Sequence, residues 1–169
     1  EWDGERVVRL KCGEPVLFAR SAEEIGALST HGIAVRICPG ITAASAAAAS
    51  AGISLSLRGQ ARRVEFVTAH AASDRPLDLD WNRLADPQAT IAFYMGRGAA
   101  PEISHNLIAA GLDPATSVLV ACEVSLSNET RLQTRLDLLP LAVQAIAEDR
   151  PTLIIVGEAV APGGAEAHL

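Results

Sequence analysis

Aromatic side chains are scarce, at 4% of 169 residues, so any core must be built mainly from Val, Ile, Leu and Ala. Positive charge is also short. The chain sets 14 Lys and Arg against 20 Asp and Glu, a formal net charge of −6, which argues against the basic patch of a nucleic-acid-binding surface. Long apolar runs are missing: the longest weakly apolar stretch, Ile41 to Ile53, is broken by Thr42, Ser45 and Ser50. It falls short of the roughly 20 residues that a bilayer span needs. No basic-then-apolar signal opens the chain. Three cysteines (Cys12, Cys38 and Cys122) are odd in number, far apart and without a CxxC pair. That speaks against a disulfide framework or zinc knuckle and for a reducing, cytoplasmic setting. The histidines His31, His70, His105 and His168 show no metal spacing, and there is no nucleophile elbow or phosphate-binding P-loop. The only Met is Met95, and the chain opens Glu1-Trp2-Asp3-Gly4, as a piece of a longer protein would.

What is present is the mix of an ordinary globular protein, 49% hydrophobic and 20% charged. Strand-like β-branched runs alternate with helical stretches. Strands are expected at Arg6–Leu10, Ala34–Cys38, Val64–Thr68, Thr90–Met95, Ser117–Cys122, Leu132–Arg135 and Thr152–Val156. Helices are expected over Ser21–Ser29, with Ser21 as its cap and Glu23 and Glu24 in the positive first turn, and over Thr42–Ala51, stopped by Gly52. Two more are expected, at Ala100–Ala110 and from about Leu139 to Glu148, the second start set by Pro140. Residues 74–80 read as a polar connection and 162–169 as a loose tail. The alternation implies an α/β fold with a largely parallel or mixed sheet. A boundary fits best in the turn-like, basic stretch Ser56–Arg62, which divides the chain into 1–58, 59–161 and the tail 162–169.

Three loops could carry chemistry, because ligands in open α/β sheets bind beyond the carboxyl ends of strands. In Lys11-Cys12-Gly13-Glu14-Pro15, the glycine lets backbone approach a ligand and Glu14 could accept from a ribose or amino group. In Pro39-Gly40-Ile41-Thr42-Ala43-Ala44, a rigid corner feeds a helix start with free N–H groups and a hydroxyl. In Phe93-Tyr94-Met95-Gly96-Arg97-Gly98, Met95 offers a soft surface to a flat heterocycle. A plain turn, a closely packed small-residue helix and an apolar strand end explain the same letters. Arg58, Arg62 and Arg63 would suit a polycarboxylate, since guanidinium pairs bidentately with carboxylate, or they are solvated surface.

Six segments in order, VVRLKCGEPVLFAR, the helix with Glu23-Glu24, CPGITAASAAAASAGISLSLR, VEFVTAH, IAFYMGRG and PTLIIVGEAV, resemble the tetrapyrrole (corrin/porphyrin) methylase family over about Val7 to Ala161. The similarity runs nearest to the uroporphyrinogen-III C-methyltransferases. The resemblance implies a two-domain α/β enzyme, usually a homodimer, that binds S-adenosyl-L-methionine between its domains. Such enzymes methylate uroporphyrinogen III to precorrin-2, on the way to sirohaem and cobalamin, and release S-adenosyl-L-homocysteine. Carried across by motif, the cofactor-binding positions are Cys12, Gly13, Glu14, Leu17, Thr42, Ala43, Met95 and Ser125, and Arg58 faces the substrate. No metal is implied.

The chain departs from the family pattern at several of these places. Cys12-Gly13-Glu14 stands for Gly-Gly-Asp, Ser56-Leu57-Arg58-Gly59-Gln60 for Thr-His-Arg-Asp-Tyr, and Ser125 for a glycine. The family's opening strand, glycine-rich loop and acid/base segment precede Glu1, so the first domain reads as incomplete and no catalytic residue is assigned. Two alternatives stay open: a non-catalytic homologue that only binds or dimerises, and a methylase acting on another tetrapyrrole.

Overall fold

A computed structural model describes residues 6–70 and 76–161. The expected tail, His168 and part of the 74–80 connection lie outside the described residues. Contacts divide the chain into two compact units, Glu1–Ala43 and Ala44–Leu169.

Among the described residues, the first unit holds the helix α1 (Ser21–Ser29), with the bounds its sequence implies. Its start differs from expectation. Arg20, at φ 57°, is the residue before the first turn, and no side chain caps the helix. Ser21 already has helical backbone, so its hydroxyl donates to the carbonyl of Pro15 instead. Glu23 and Glu24 do occupy the first turn, pairing with Arg20 and with Lys11. After Thr30, Gly32 turns left-handed at φ 67°, and Ile33 N–H returns to the Leu28 carbonyl at 3.1 Å, which ends the helix. The strands expected at Arg6–Leu10 and Ala34–Cys38 are not formed. β-branched residues favour extended backbone locally, but a strand needs a partner for its N–H and C=O groups, and none pairs with these stretches among the described residues. Val7 and Val8 are accordingly 77% and 78% exposed.

The second unit opens with the Ala-rich helix α2 (Ala43–Ala51), whose buried face is Ala44, Ala47 and Ala48. The strands follow as β1 (Arg63–Thr68), β2 (Ala89–Tyr94), β3 (Ser117–Cys122), β4 (Thr130–Arg135) and β5 (Thr152–Val156). Between them lie α3 (Trp81–Leu84), which the sequence pattern did not announce, α4 (Ala100–Ala109) and α5 (Leu139–Ile146). Pro140 sits in the first turn of α5, where its missing N–H has no helical partner to lose.

The five strands make one mixed sheet in the order β1-β2-β5-β3-β4. Only β1 and β2 are parallel; β2–β5, β5–β3 and β3–β4 are antiparallel. One face carries the rows Ile91–Val156–Val118 and Phe93–Ile154–Val120, in register across β2, β5 and β3. These pack with Ile103 and Leu107 of α4 and Leu139 and Val143 of α5 into the main core. With so few aromatics, the core is aliphatic around a single fully buried Phe93.

The opposite face carries the row Tyr94–Leu153–Ala121–Arg131 across β2, β5, β3 and β4. Helix α2 lies along this row. Its second residue, Ala44, donates its N–H to the Tyr94 hydroxyl at 3.1 Å, and Ser50 near its other end meets Arg131 at 2.8 Å. Ala44 and Ser50 are about 9 Å apart along the helix axis. Three strand spacings, from β2 to β4, come to about 14 Å, and the long Tyr94 and Arg131 side chains reach inward to span the difference.

Candidate functional site

In the first unit, Gly13 and Gly40 bring two backbone segments together. Gly13 has φ 67°, and a Cβ on Gly40 would stand only 2.1 Å from the Gly13 carbonyl oxygen, so no side chain fits there. Glu14 braces the same approach: one carboxylate oxygen accepts the Gly40 N–H at 2.8 Å and the other the Val16 N–H at 3.3 Å. The residue expected to meet a ligand thus first holds its own loops, although a carboxylate retains further acceptor sites. Leu17 is half-buried and closes the turn through its N–H to the Glu14 carbonyl at 3.2 Å. Cys12 is exposed and lines an open depression of about 650 Å³ together with Lys11, Ala19, Arg20 and Glu24. Lys11 bridges to Glu24 at 2.8 Å there and draws the Glu24 carboxyl below its ordinary pKa, first by that hydrogen bond. Thr42 and Ala43 are half-buried; Thr42 immediately precedes α2 and Ala43 is its first residue.

In the second unit, β2 and β3 run in the same direction because each is antiparallel to β5. Tyr94 and Ala121 both pair with Leu153, so the carboxyl ends of β2 and β3 lie at one edge of the sheet. Met95 follows β2 at that edge, half exposed, and Ser125 lies in the loop that follows β3. Met95, Glu123 and Ser125 all have left-handed backbone, with φ 57°, 52° and 70°. Non-glycine residues in this conformation carry strain and gather at ligand-binding and active sites. Three of the six such residues among those described stand at this one edge. Gly96 follows Met95 because a Cβ there would press on Ile154, Ile103 and Phe93 at 3.2–3.4 Å.

Arg58 lies apart from this edge. It is exposed in the turn that Leu57 and Ala61 close by mutual backbone hydrogen bonds at 3.0 and 2.8 Å. That turn leads into the start of β1, at the other end of the strands from Met95, about 20 Å away at the usual rise per residue. With Arg62 it lines an open depression of about 330 Å³, and neither arginine has an ion pair among the described residues. Arg63, by contrast, is engaged with Glu65 at 2.8 Å and Asp86 at 3.0 Å.

Two features escaped sequence reasoning. Tyr94, the sole tyrosine, anchors the α2 N-terminus; its place between an apolar strand and a glycine turn was the available signal. Glu129 joins Ser50 of α2 to the Ser125 loop, and a link between residues 79 apart leaves no local trace. No cluster of metal-ligating side chains occurs among the described residues.

The family description "Tetrapyrrole (Corrin/Porphyrin) Methylases" matches residues 2–140. A siroheme synthase of Nitrosomonas eutropha is 44% identical over 158 residues, which is 94% of this chain and 33% of that protein. A uroporphyrinogen-III C-methyltransferase of Paracoccus denitrificans is 42% identical over 158 residues, 94% of this chain and 55% of that protein. The chain therefore spans about a third of the siroheme synthases it matches and about half of that methyltransferase. Among solved structures, a cobalt precorrin-4 methyltransferase of cobalamin biosynthesis superposes with a TM-score of 0.81 at 25% identity, covering 89% of this chain and 63% of that one. A uroporphyrin-III C-methyltransferase from Thermus thermophilus, complexed with S-adenosylhomocysteine, does so at 0.73 and 33% identity, covering 91% and 66%. On sequence and on fold together, this chain belongs to the tetrapyrrole (corrin/porphyrin) methylases.

Proposed function

We propose that this chain is the cofactor- and substrate-holding part of an S-adenosyl-L-methionine-dependent C-methyltransferase that converts uroporphyrinogen III to precorrin-2. The observation that carries the proposal is the sheet edge where Met95 and Ser125, both left-handed, flank the carboxyl ends of parallel-running β2 and β3. The relatives at 42–44% identity, and the neighbouring structure complexed with S-adenosylhomocysteine, support the reaction and the cofactor. Each unit by itself carries a group suited to part of an adenosyl amino acid: in the second, a half-exposed thioether for a flat base; in the first, exposed glycine backbone at Gly13 and Gly40. We assign Cys12, Gly13, Glu14, Leu17, Thr42 and Ala43 in the first unit, and Met95 and Ser125 in the second, to cofactor binding.

Bound S-adenosyl-L-methionine supplies an activated methyl group. What the protein contributes is alignment, because in-line displacement needs the carbon nucleophile held close to that group and in line with it. Arg58, with Arg62 beside it, offers cations to the carboxylates of a tetrapyrrole. No residue described here is assigned as the base that takes the displaced proton. The assignment includes a domain division at 58/59, after which all five described strands lie; contacts divide the chain earlier, between Ala43 and Ala44. It also includes homodimerisation and a cytoplasmic setting; none of the described helices is long and apolar enough to cross a membrane.

The test is calorimetric titration of the chain with S-adenosylhomocysteine. Saturable binding, weakened about tenfold or more by Met95→Asp, is expected, since a carboxylate against the base face costs a charge-desolvation penalty. Absence of saturation would refute the assignment of cofactor. One observation favours a non-catalytic binding homologue: both Glu14 oxygens already serve the chain's own backbone. Binding of S-adenosylhomocysteine without methylation of uroporphyrinogen III by the whole protein would select that alternative.

A further inference from the structure

The loop between β3 and β4 is held by two carboxylates. Glu123, itself left-handed, takes the Asn128 amide on its side chain and stands 3.7 Å from Arg150, while its carbonyl accepts the Leu126 N–H at 3.0 Å. Glu129 closes the other end of the loop, with its own N–H on the Leu126 carbonyl at 3.1 Å. Its side chain is only 13% exposed. One oxygen receives the Ser50 hydroxyl from α2 and lies 3.5 Å from Arg131; the other receives the Ser125 backbone N–H at 2.6 Å. Arg131 in turn donates to the Ser50 oxygen at 2.8 Å, so Glu129, Ser50 and Arg131 form a closed triangle.

This arrangement has a specific consequence. Ser125 is a side-chain-bearing residue at φ 70°, where L residues are strained. Such a conformation persists only when its surroundings over-determine it. The bond from Glu129 is charge-assisted and goes to the backbone of the strained residue itself, while the same carboxylate is tied to the helix that crosses the sheet to Tyr94. A single side chain thus sets the position of the Ser125 loop against α2, and α2 is set against the strand that ends at Met95.

We propose that Glu129 is a positioning residue for the cofactor site: it holds Ser125 in the left-handed conformation and in register with α2, so that the loop meets the adenosyl ligand preformed. This rests on the assignment of Ser125 and Met95 to cofactor binding made above. Glu129 is the acceptor at the centre of the loop, and its role is that of an oxygen in a fixed place rather than of a charge toward the ligand. Glutamine, which keeps one carbonyl oxygen for the Ser125 N–H and an amide that can donate to the Ser50 oxygen, therefore serves in its place, whereas alanine does not.

The experiment compares the wild-type chain, Glu129→Gln and Glu129→Ala by three measurements: amide exchange at Ser125, thermal unfolding, and titration with S-adenosylhomocysteine. Expected are fast exchange at Ser125 and about tenfold weaker binding in Glu129→Ala, with both recovered to within about threefold of wild type in Glu129→Gln. A purely structural role would lower the unfolding temperature of both variants without this rescue. Should Glu129→Ala fail to fold, Ser50→Ala removes the α2 tether alone and is expected to weaken binding in the same direction. Protection at Ser125 that survives Glu129→Ala, or binding by that variant as tight as wild type, overturns the role of Glu129 and leaves the cofactor assignment standing. A wild-type chain that never saturates overturns the cofactor assignment and this role with it.

Discussion

Removing one oxygen from Tyr94 tests how the sheet edge is assembled. In Tyr94→Phe the ring keeps its place, including the edge-to-face contact with Phe66 at a centroid distance of 6.1 Å and 82° between planes, so the change isolates the hydroxyl. What is lost is the acceptor for the Ala44 N–H at 3.1 Å. Ala44 is 0% exposed, so water does not replace the missing oxygen, and the N–H is left unpaired at the start of α2. A buried donor stranded in this way costs about 1–3 kcal/mol. A loss of about 2 kcal/mol corresponds to a fall of roughly 4–8 °C in unfolding temperature for a chain of this size. It also corresponds to about thirtyfold faster amide exchange at Ala44, if that amide opens with the helix end. The assay is thermal unfolding by circular dichroism alongside amide exchange resolved at Ala44. Affinity for S-adenosylhomocysteine is expected to fall as well, because the α2 N-terminus is no longer tied to the strand that delivers Met95. An unfolding temperature within about 1 °C of wild type, with unchanged exchange at Ala44, would refute the anchoring role of Tyr94.

Other perturbations separate the parts of the molecule. Phe93→Ala, at a position 0% exposed in the main core, is expected to cost about 3–5 kcal/mol in urea unfolding, and a loss below about 1 kcal/mol would show that the cavity had collapsed. Arg58→Ala is expected to weaken binding of uroporphyrin, followed by fluorescence quenching, while leaving affinity for S-adenosylhomocysteine unchanged, because the Arg58 turn sits at the far end of the strands from Met95. The reverse pattern would place Arg58 with the cofactor. Acid should cost stability at Glu129 without stripping Ser125 of its acceptor. The Glu129 carboxyl is held below its ordinary value of 4.5, first by the Ser50 hydroxyl, then by the Ser125 N–H and the Arg131 charge, against partial desolvation. A depressed carboxyl contributes stability that is fully present above the ordinary value and lost as pH falls through the native one, so the unfolding temperature, measured against Glu129→Gln, should fall only below about pH 4.5. The protonated carboxyl, like glutamine, keeps a carbonyl oxygen for the Ser125 N–H. The charged groups facing this carboxyl and its loop are Arg131 on β4 and the Glu123–Arg150 pair. A Glu129-dependent loss of stability already near neutral pH would contradict the depressed carboxyl.

Much of the local architecture was legible in the letters, and for local reasons. Helix α1, strand β3 and strand β5 have the bounds their patterns imply, because periodicity, β-branching and stop residues act within a few positions. The same local signals misled at Arg6–Leu10 and Ala34–Cys38, where β-branched runs found no described partner to pair with. Capping misled at Ser21 for a related reason: whether a serine stands before the helix or inside its first turn depends on where the preceding chain is pulled, here by a left-handed Arg20. The short α3 has too few residues to show a period at all.

The site divides along the same line. Six ordered segments were enough to indicate the family. Residue types also marked Met95 as a soft surface, Gly13 as a place of close backbone approach and Pro39-Gly40 as a rigid corner, because those properties belong to the residues themselves. Only the tertiary structure decided which of them share an edge. That Met95 and Ser125 stand together follows from β5 running antiparallel between β2 and β3, a matter of strand order that no local pattern carries. That Glu14 spends its carboxylate on Gly40, and Glu129 on Ser50, follows from contacts across 26 and 79 residues. Sequence determines what each side chain can do; long-range pairing of backbone determines which side chains meet, and hydrogen bonds and strain at an edge exist only after that pairing is complete.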